Sequence, residues 1–572
     1  MWTESEEGRD SARREYEGGQ STPPPGLRTI AELASQLGLD AGECIAWGPD
    51  RAKINFSRVM ERRASQSTGK LILVTAMSPT PAGEGKTTSS IALADALQAL
   101  GKRSLLCLRE PSLGPVFGRK GGATGGGRAQ LHPAEDINLH FTGDFHALTA
   151  ANNLLAAAID NHIYHGNTLG IDPQRVCWRR CLDVNDRALR QVQLLAPSGH
   201  PEVERGESFQ ITVASELMAI LCLSRSYREL KERIGRIICA YDRQGRPIRA
   251  EELAVHEAVA ALLRDALMPN LVQTLEGCPA FVHGGPFANI AHGCSSLLAT
   301  QLGLKLADYV VTEAGFGADL GAEKFLDICC REASIWPSAV LLVASVRALK
   351  YHGGQALDQL QTCDLESLRR GYANLQRHAR NLQTIFGLHP LVLINSFAQD
   401  HPEEWDCLSA LLAADGLAQA RSEAWAKGSE GMLDAAKSLL NIMDEAPSQA
   451  QYAYELEQSL SSKIEQLALR LYGARELRFS PSAQEQLREL ERSEARRRPI
   501  CMAKTPYSFS ADPRRLGAAR DFCLEVSALS YAAGAGFVIV YCGEIMTLPA
   551  LPAQPAALRV KLSDSGVISG IY

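Results

Sequence analysis

One segment constrains this chain more than any other: KLILVTAMSPTPAGEGKTTSSIALADALQALGKRSLLCL at 70–108. An apolar run at 71–76 enters a Pro/Gly loop, and a helical pattern leaves from Lys86. Leu93, Leu97 and Leu100 fall on one helical face, and Gly101 stands where a C-cap glycine belongs. A second apolar run follows at 104–108. Strand, loop, helix and strand make a βαβ unit, which needs a parallel sheet. Gly83 and Gly85 permit the backbone conformations that turn N–H groups inward at an anion, and the helix N-terminus adds partial positive charge. Lys86 is placed to reach β- and γ-phosphates, and Thr87 to ligate Mg²⁺. Residues Thr80, Pro81, Ala82, Gly83, Glu84, Gly85, Lys86 and Thr87 therefore form the candidate nucleotide loop, with Thr80 where the usual motif has its first glycine.

The same alternation continues. Apolar runs at 309–312, 340–346, 391–394 and 537–541 are each followed by polar or glycine residues, the mark of strands buried on both faces. At 572 residues the chain is too long for one core. The expected fold class is α/β: a P-loop NTPase-like parallel-sheet domain at 28–350, with smaller α/β domains at 351–450 and 451–572. Residues 1–27 end in STPPPG and read as a disordered tail. A short helical pattern at 27–39 stops near Gly38, 402–404 reads as a polar break, and 480–498 as a charge-dense solvated helix.

Composition narrows the function classes. The net charge is −6 with both signs interspersed, which argues against nucleic-acid binding. No apolar stretch is long enough to span a bilayer, and the N-terminus lacks a secretory signal, so a cytoplasmic location is expected. None of the fifteen cysteines forms a C-x-x-C pair; Cys177, Cys181, Cys329 and Cys330 read as free thiols.

Other candidates surround the loop. Arg109 and Glu110 end the second strand, on the sheet edge that carries the loop; the arginine fork suits an oxyanion, although a surface Arg–Glu pair would look the same. Six glycines and three basic residues share 118–128, a pattern fitting an anion cradle or a linker. Asp144 is bracketed by aromatics and could sit near a metal or cap a helix. His283, Asn289 and His292 crowd into FVHGGPFANIAHG, a tight loop expected to line a cleft without an assigned proton-transfer role.

Many stretches together resemble the formate–tetrahydrofolate ligase family: TPAGEGKTT at 80–88, REPSLGPVFGRKGGATGGGRAQ at 109–130, EDINLHFTGDFHAL at 135–148, TEAGFGADLGAEKF at 312–325, EAWAKGSEG at 423–431 and CMAKTPYSFSADP at 501–513. The resemblance runs from about residue 27 to the end. It implies a single-function, ATP-dependent ligase of one-carbon metabolism that makes 10-formyltetrahydrofolate through formyl phosphate. ATP, Mg²⁺, formate and tetrahydrofolate are the implied ligands, with a monovalent cation and a homotetramer as further expectations. Lys86, Arg109, Glu110 and Asp144 become the catalytic candidates. Phe397 and Trp425 become the folate clamp, although by residue type alone both read as core aromatics. The chain departs from the pattern at Arg128, where tyrosine is common, at Ser396, where a basic residue is usual, and at Pro506 and Ala550. Two other readings are a different P-loop protein, such as a GTPase, and a family member kept only as a nucleotide-binding scaffold. A GTPase would want N-K-x-D; the chain has Asn395-Ser-Phe.

Overall fold

The computed structural model describes residues 27–81, 83–118, 121–195 and 204–571. Residues 1–26 of the expected tail, and Ala82 of the loop, lie outside the described residues.

A mixed α/β architecture is observed, built on one twelve-stranded sheet. Its strands are β1 (Cys44–Ala46), β2 (Ala52–Ile54), β3 (Lys70–Ala76), β4 (Ser104–Leu108), β5 (Gly125–Gly126), β6 (Ala129–His132), β7 (Asn270–Thr274), β8 (Pro279–Val282), β9 (Tyr309–Glu313), β10 (Ala339–Ala344), β11 (Pro390–Asn395) and β12 (Gln419–Ser422). The order is β1-β2-β7-β8-β4-β9-β3-β10-β11-β12, with β6 bridging β5 to β7. From β8 to β12 all pairings are parallel. Strands β4, β10 and β11 are buried at every residue, as their unbroken apolar runs require. The 351–450 stretch forms no sheet of its own: β11 and β12 continue the same sheet past residue 350. Beyond it, a three-stranded sheet pairs Ile500–Ala503 and Ala528–Ala532 with Phe537–Tyr541. The buried Lys504–Asp319 ion pair, at 2.8 Å, ties this C-terminal part to the main body.

The helices that position the site are α1 (Lys86–Ala99), α2 (Asp144–Tyr164), α3 (Val346–His352), α4 (Leu365–Thr384), α5 (Pro402–Ala414) and α6 (Leu433–Glu445). Helix α1 is not one-faced as its leucine spacing suggests. Every residue from Ser89 to Leu97 is buried, because the sheet lies on one side and α6 covers another. Gly101 does close it: the Gly101 N–H donates to the Gln98 carbonyl and the Lys102 N–H to that of Leu97, with Gly101 at φ +75°. Strand β10 stops at Ala344, two residues before the end of its apolar run, because Ser345 caps α3 through its hydroxyl. The expected break at 402–404 is instead the start of α5. Pro402 is tolerated there because the first helical N–H has no partner within the helix. The charged stretch at 480–498 forms a helix over Pro481–Glu491 and one short turn after it.

One buried acid of α1 carries a testable cost. Asp95 accepts the Thr274 hydroxyl at 2.5 Å, and its second oxygen has no partner. Burial pushes this carboxyl up to about 7. The unfolded chain releases the same proton near 4, so stability is lost as pH rises between those values. Asp95→Asn should therefore gain stability over the parent by roughly 2–3 kcal/mol more at pH 8 than at pH 5. Urea midpoints at the two pH values check this; an equal difference at both would mean that the acid is not buried as described.

Candidate active site

The parallel strands point their C-terminal ends at one edge, and the candidate residues gather on the turns that leave it. The loop at 80–87 leaves β3, Arg109 and Glu110 leave β4, Glu313 ends β9, Ser345 and Arg347 follow β10, Phe397 follows β11 and Trp425 follows β12.

Side chains from distant parts of the chain hold the loop in shape. Glu84 turns inward, accepting the Thr80 N–H at 2.8 Å and the Ser345 hydroxyl. This ties its carboxylate to the loop and to the turn after β10. Asn395 donates to the Glu84 carbonyl at 3.0 Å, and Arg347 donates to that of Gly83. Gly85 stands at φ +75° as the N-cap of α1, and a Cβ there would come within 2.4 Å of the Asn395 amide. Only glycine satisfies both constraints. Asn395 is thereby committed to the loop, which disagrees with a guanine-reading role. Thr87 donates its hydroxyl to Glu313 at 2.8 Å. The Thr87 hydroxyl and the Glu313 carboxylate are oxygen donors of the kind that Mg²⁺ takes. Burial holds the Lys86 ammonium below the ordinary lysine range, opposed by Glu313 and reinforced by Arg109. An anion arriving there would favour the charged form.

Arg109 spends one N–H on the Pro286 carbonyl at 3.2 Å, which leaves most of its fork for a ligand. His292 lies close enough for the guanidinium to act on it. Its buried ring has no partner at either nitrogen and is pushed down to about 3, first by burial and then by Arg109 and Lys324. His283, by contrast, is satisfied by Ser296 at 2.6 Å and the Ala266 carbonyl at 2.8 Å, as a structural histidine is.

Glu110 and Asp144 are brought together, around a residue that the sequence did not single out. Lys53, fully buried on β2, binds Asp144 at 2.7 Å, and Asn270 donates to the second Asp144 oxygen at 2.8 Å. Asp144 is the first residue of α2 rather than its cap, which is Gly143. Burial, with Asp144 behind it, pushes the Glu110 carboxyl well up, and Lys53 opposes this. Glu110 Oε2 is buried without a partner. An oxygen so placed can keep the proton that burial favours or give it up to a bound cation. Lys53 left no motif because its partner Asp144 lies 91 residues away in the chain.

The two aromatics differ. Phe397 is half-buried, with the Arg347 guanidinium stacked on its ring at 3.9 Å. Trp425 is 65% exposed, which removes the core reading. The glycine-rich segment meets it. The Arg128 N–H donates to the Trp425 carbonyl at 2.9 Å, and a Cβ on Gly127, at φ +61°, would fall 2.0 Å from that oxygen. The glycines therefore serve a close backbone approach, and Arg128 contributes its main chain. At Ser396, the hydroxyl accepts from Arg421 at 2.9 Å, so a cation reaches this position from β12.

The sequence profile of the family described as formate–tetrahydrofolate ligase matches residues 22–572. A formate–tetrahydrofolate ligase of Symbiobacterium thermophilum is 51% identical over 546 residues, covering 96% of this chain and 98% of that protein. Similarity over nearly the whole length, to the family profile and to this relative, places the chain in the formate–tetrahydrofolate ligase family.

Proposed function

We propose that this chain uses ATP to join formate to tetrahydrofolate, giving 10-formyltetrahydrofolate, ADP and phosphate. The observation that carries this reading is that the Lys86 loop, Arg109 and the exposed Trp425 follow β3, β4 and β12, on one edge of the same parallel sheet. In the first step a formate oxygen attacks the γ-phosphorus and ADP leaves. In the second, N10 of tetrahydrofolate attacks the formyl carbon and phosphate leaves. Both steps develop charge on phosphate oxygens, and Lys86, Arg109 and the N-terminus of α1 supply the fixed positive groups. Thr87 and Glu313 would hold Mg²⁺, which neutralises the β- and γ-oxygens when bound. The unpartnered Glu110 Oε2 beside Asp144 is our choice for the monovalent cation. Phe397 and Trp425 would clamp the pterin, offering flat faces to a flat ring. A homotetramer and a cytoplasmic location complete the reading; no helix among the described residues is long and apolar enough to cross a membrane.

The purified protein should form 10-formyltetrahydrofolate, read as 5,10-methenyltetrahydrofolate after acid, only with formate, ATP, Mg²⁺ and tetrahydrofolate all present. A complete mixture without product would sink the enzyme reading and leave a nucleotide-binding scaffold. Trp425→Ala should raise the folate KM roughly 5- to 150-fold, the loss of about 1–3 kcal/mol of stacking. Steady-state kinetics with ATP and formate saturating checks it; an unchanged KM argues against the clamp.

A further inference from the structure

Outside the candidate active site, three potential metal ligands from two separate segments converge. Cys363 Sγ, a ring nitrogen of His401 and a carboxylate oxygen of Glu403 lie within 4.8 Å of one another. Four-coordinate zinc, with bonds of about 2.0–2.3 Å, sets its ligand atoms roughly 3.4–3.6 Å apart, so each donor needs to shift by only about an ångström. Cys363 and Glu403 are exposed and His401 is half-buried, so side-chain rotation is open to them and solvent can supply a fourth ligand.

The frame beneath the three donors is already built. Cys363 precedes α4 and His401 immediately precedes α5. The buried Lys350–Glu404 ion pair, at 2.8 Å, joins the two segments from below. Lys350 also donates to the Thr362 carbonyl at 3.0 Å, and Glu404 accepts the Asp364 N–H at 3.0 Å and the His401 N–H at 3.3 Å. His401 Nε2 stands 3.2 Å from the Gln361 carbonyl. Local charge favours a cation: Glu403, Glu404 and Asp364 face Cys363 against the single Lys350.

We propose that Cys363, His401 and Glu403 form a binding site for a divalent transition metal of the zinc class. Sulfur, nitrogen and oxygen donors select zinc or cobalt over magnesium or calcium. On binding, the Cys363 thiol gives its proton to solvent as the metal–sulfur bond forms. The ion would cross-link the turn before α4 to the turn between β11 and α5, the turn that carries Phe397.

The test is a cobalt titration of the full-length, chelator-treated protein. A thiolate-to-cobalt charge-transfer band should appear and saturate at one equivalent at micromolar metal, and zinc should displace it. Cys363→Ser should abolish the band, and His401→Ala should weaken binding at least ~10-fold. Cys177→Ser, at the other exposed cysteine, should leave the band intact. Circular dichroism should show all three surface variants folded. Absence of the band in the parent, its survival in Cys363→Ser, or saturation only at millimolar metal would each overturn the proposal.

Discussion

Lys86→Ala is expected to lower kcat by at least ~10³-fold, about 4 kcal/mol of transition-state stabilisation, with little change in stability. The size follows from where the charge develops. The transferred phosphoryl group spreads negative charge over its oxygens, and the loop's N–H groups cannot replace a whole cation. The fold should survive, because Glu84, Ser345, Asn395 and Arg347 hold the loop. A urea midpoint close to the parent's would separate lost chemistry from lost structure. Turnover within tenfold of the parent would mean that the loop at 80–87 is misassigned.

The second large effect concerns stability. Lys53→Met should cost ~3–5 kcal/mol, because it leaves Asp144 buried and negative without its cation. Glu110 stands next to that charge and would be pushed further towards its protonated form. The double variant Lys53→Met/Asp144→Asn should recover much of the loss, since a buried pair replaced as a pair is far less costly than one broken. Denaturant unfolding of the two single variants and the double variant closes the cycle. A single-variant loss below 1 kcal/mol, or independent effects of the two changes, would refute the buried pairing.

Sequence patterning works best here where neighbours in the chain are also neighbours in space. The strands at 70–76 and 104–108, the helix between them and its glycine stop were all legible, because periodicity and capping are local. Glu84 shows what it misses. In the sequence it is one more loop residue, and only the structure joins its carboxylate to Thr80 and to Ser345, 261 residues away. Pro402 shows a different failure: read as a break, it is the first residue of a helix, a choice made by its position relative to the cap.

The sequence by itself determined the α/β class, the strand–loop–helix unit at 70–99, the family, and the identity of Lys86, Arg109 and Trp425 as residues worth testing. Only the tertiary structure decided which groups surround them. Glu313 reaches Thr87 across 226 residues, and Asn395 reaches Glu84 across 311. The physical reason is that a parallel sheet aligns the ends of strands far apart in the chain. Contacts made across that edge leave no period and no motif in the sequence.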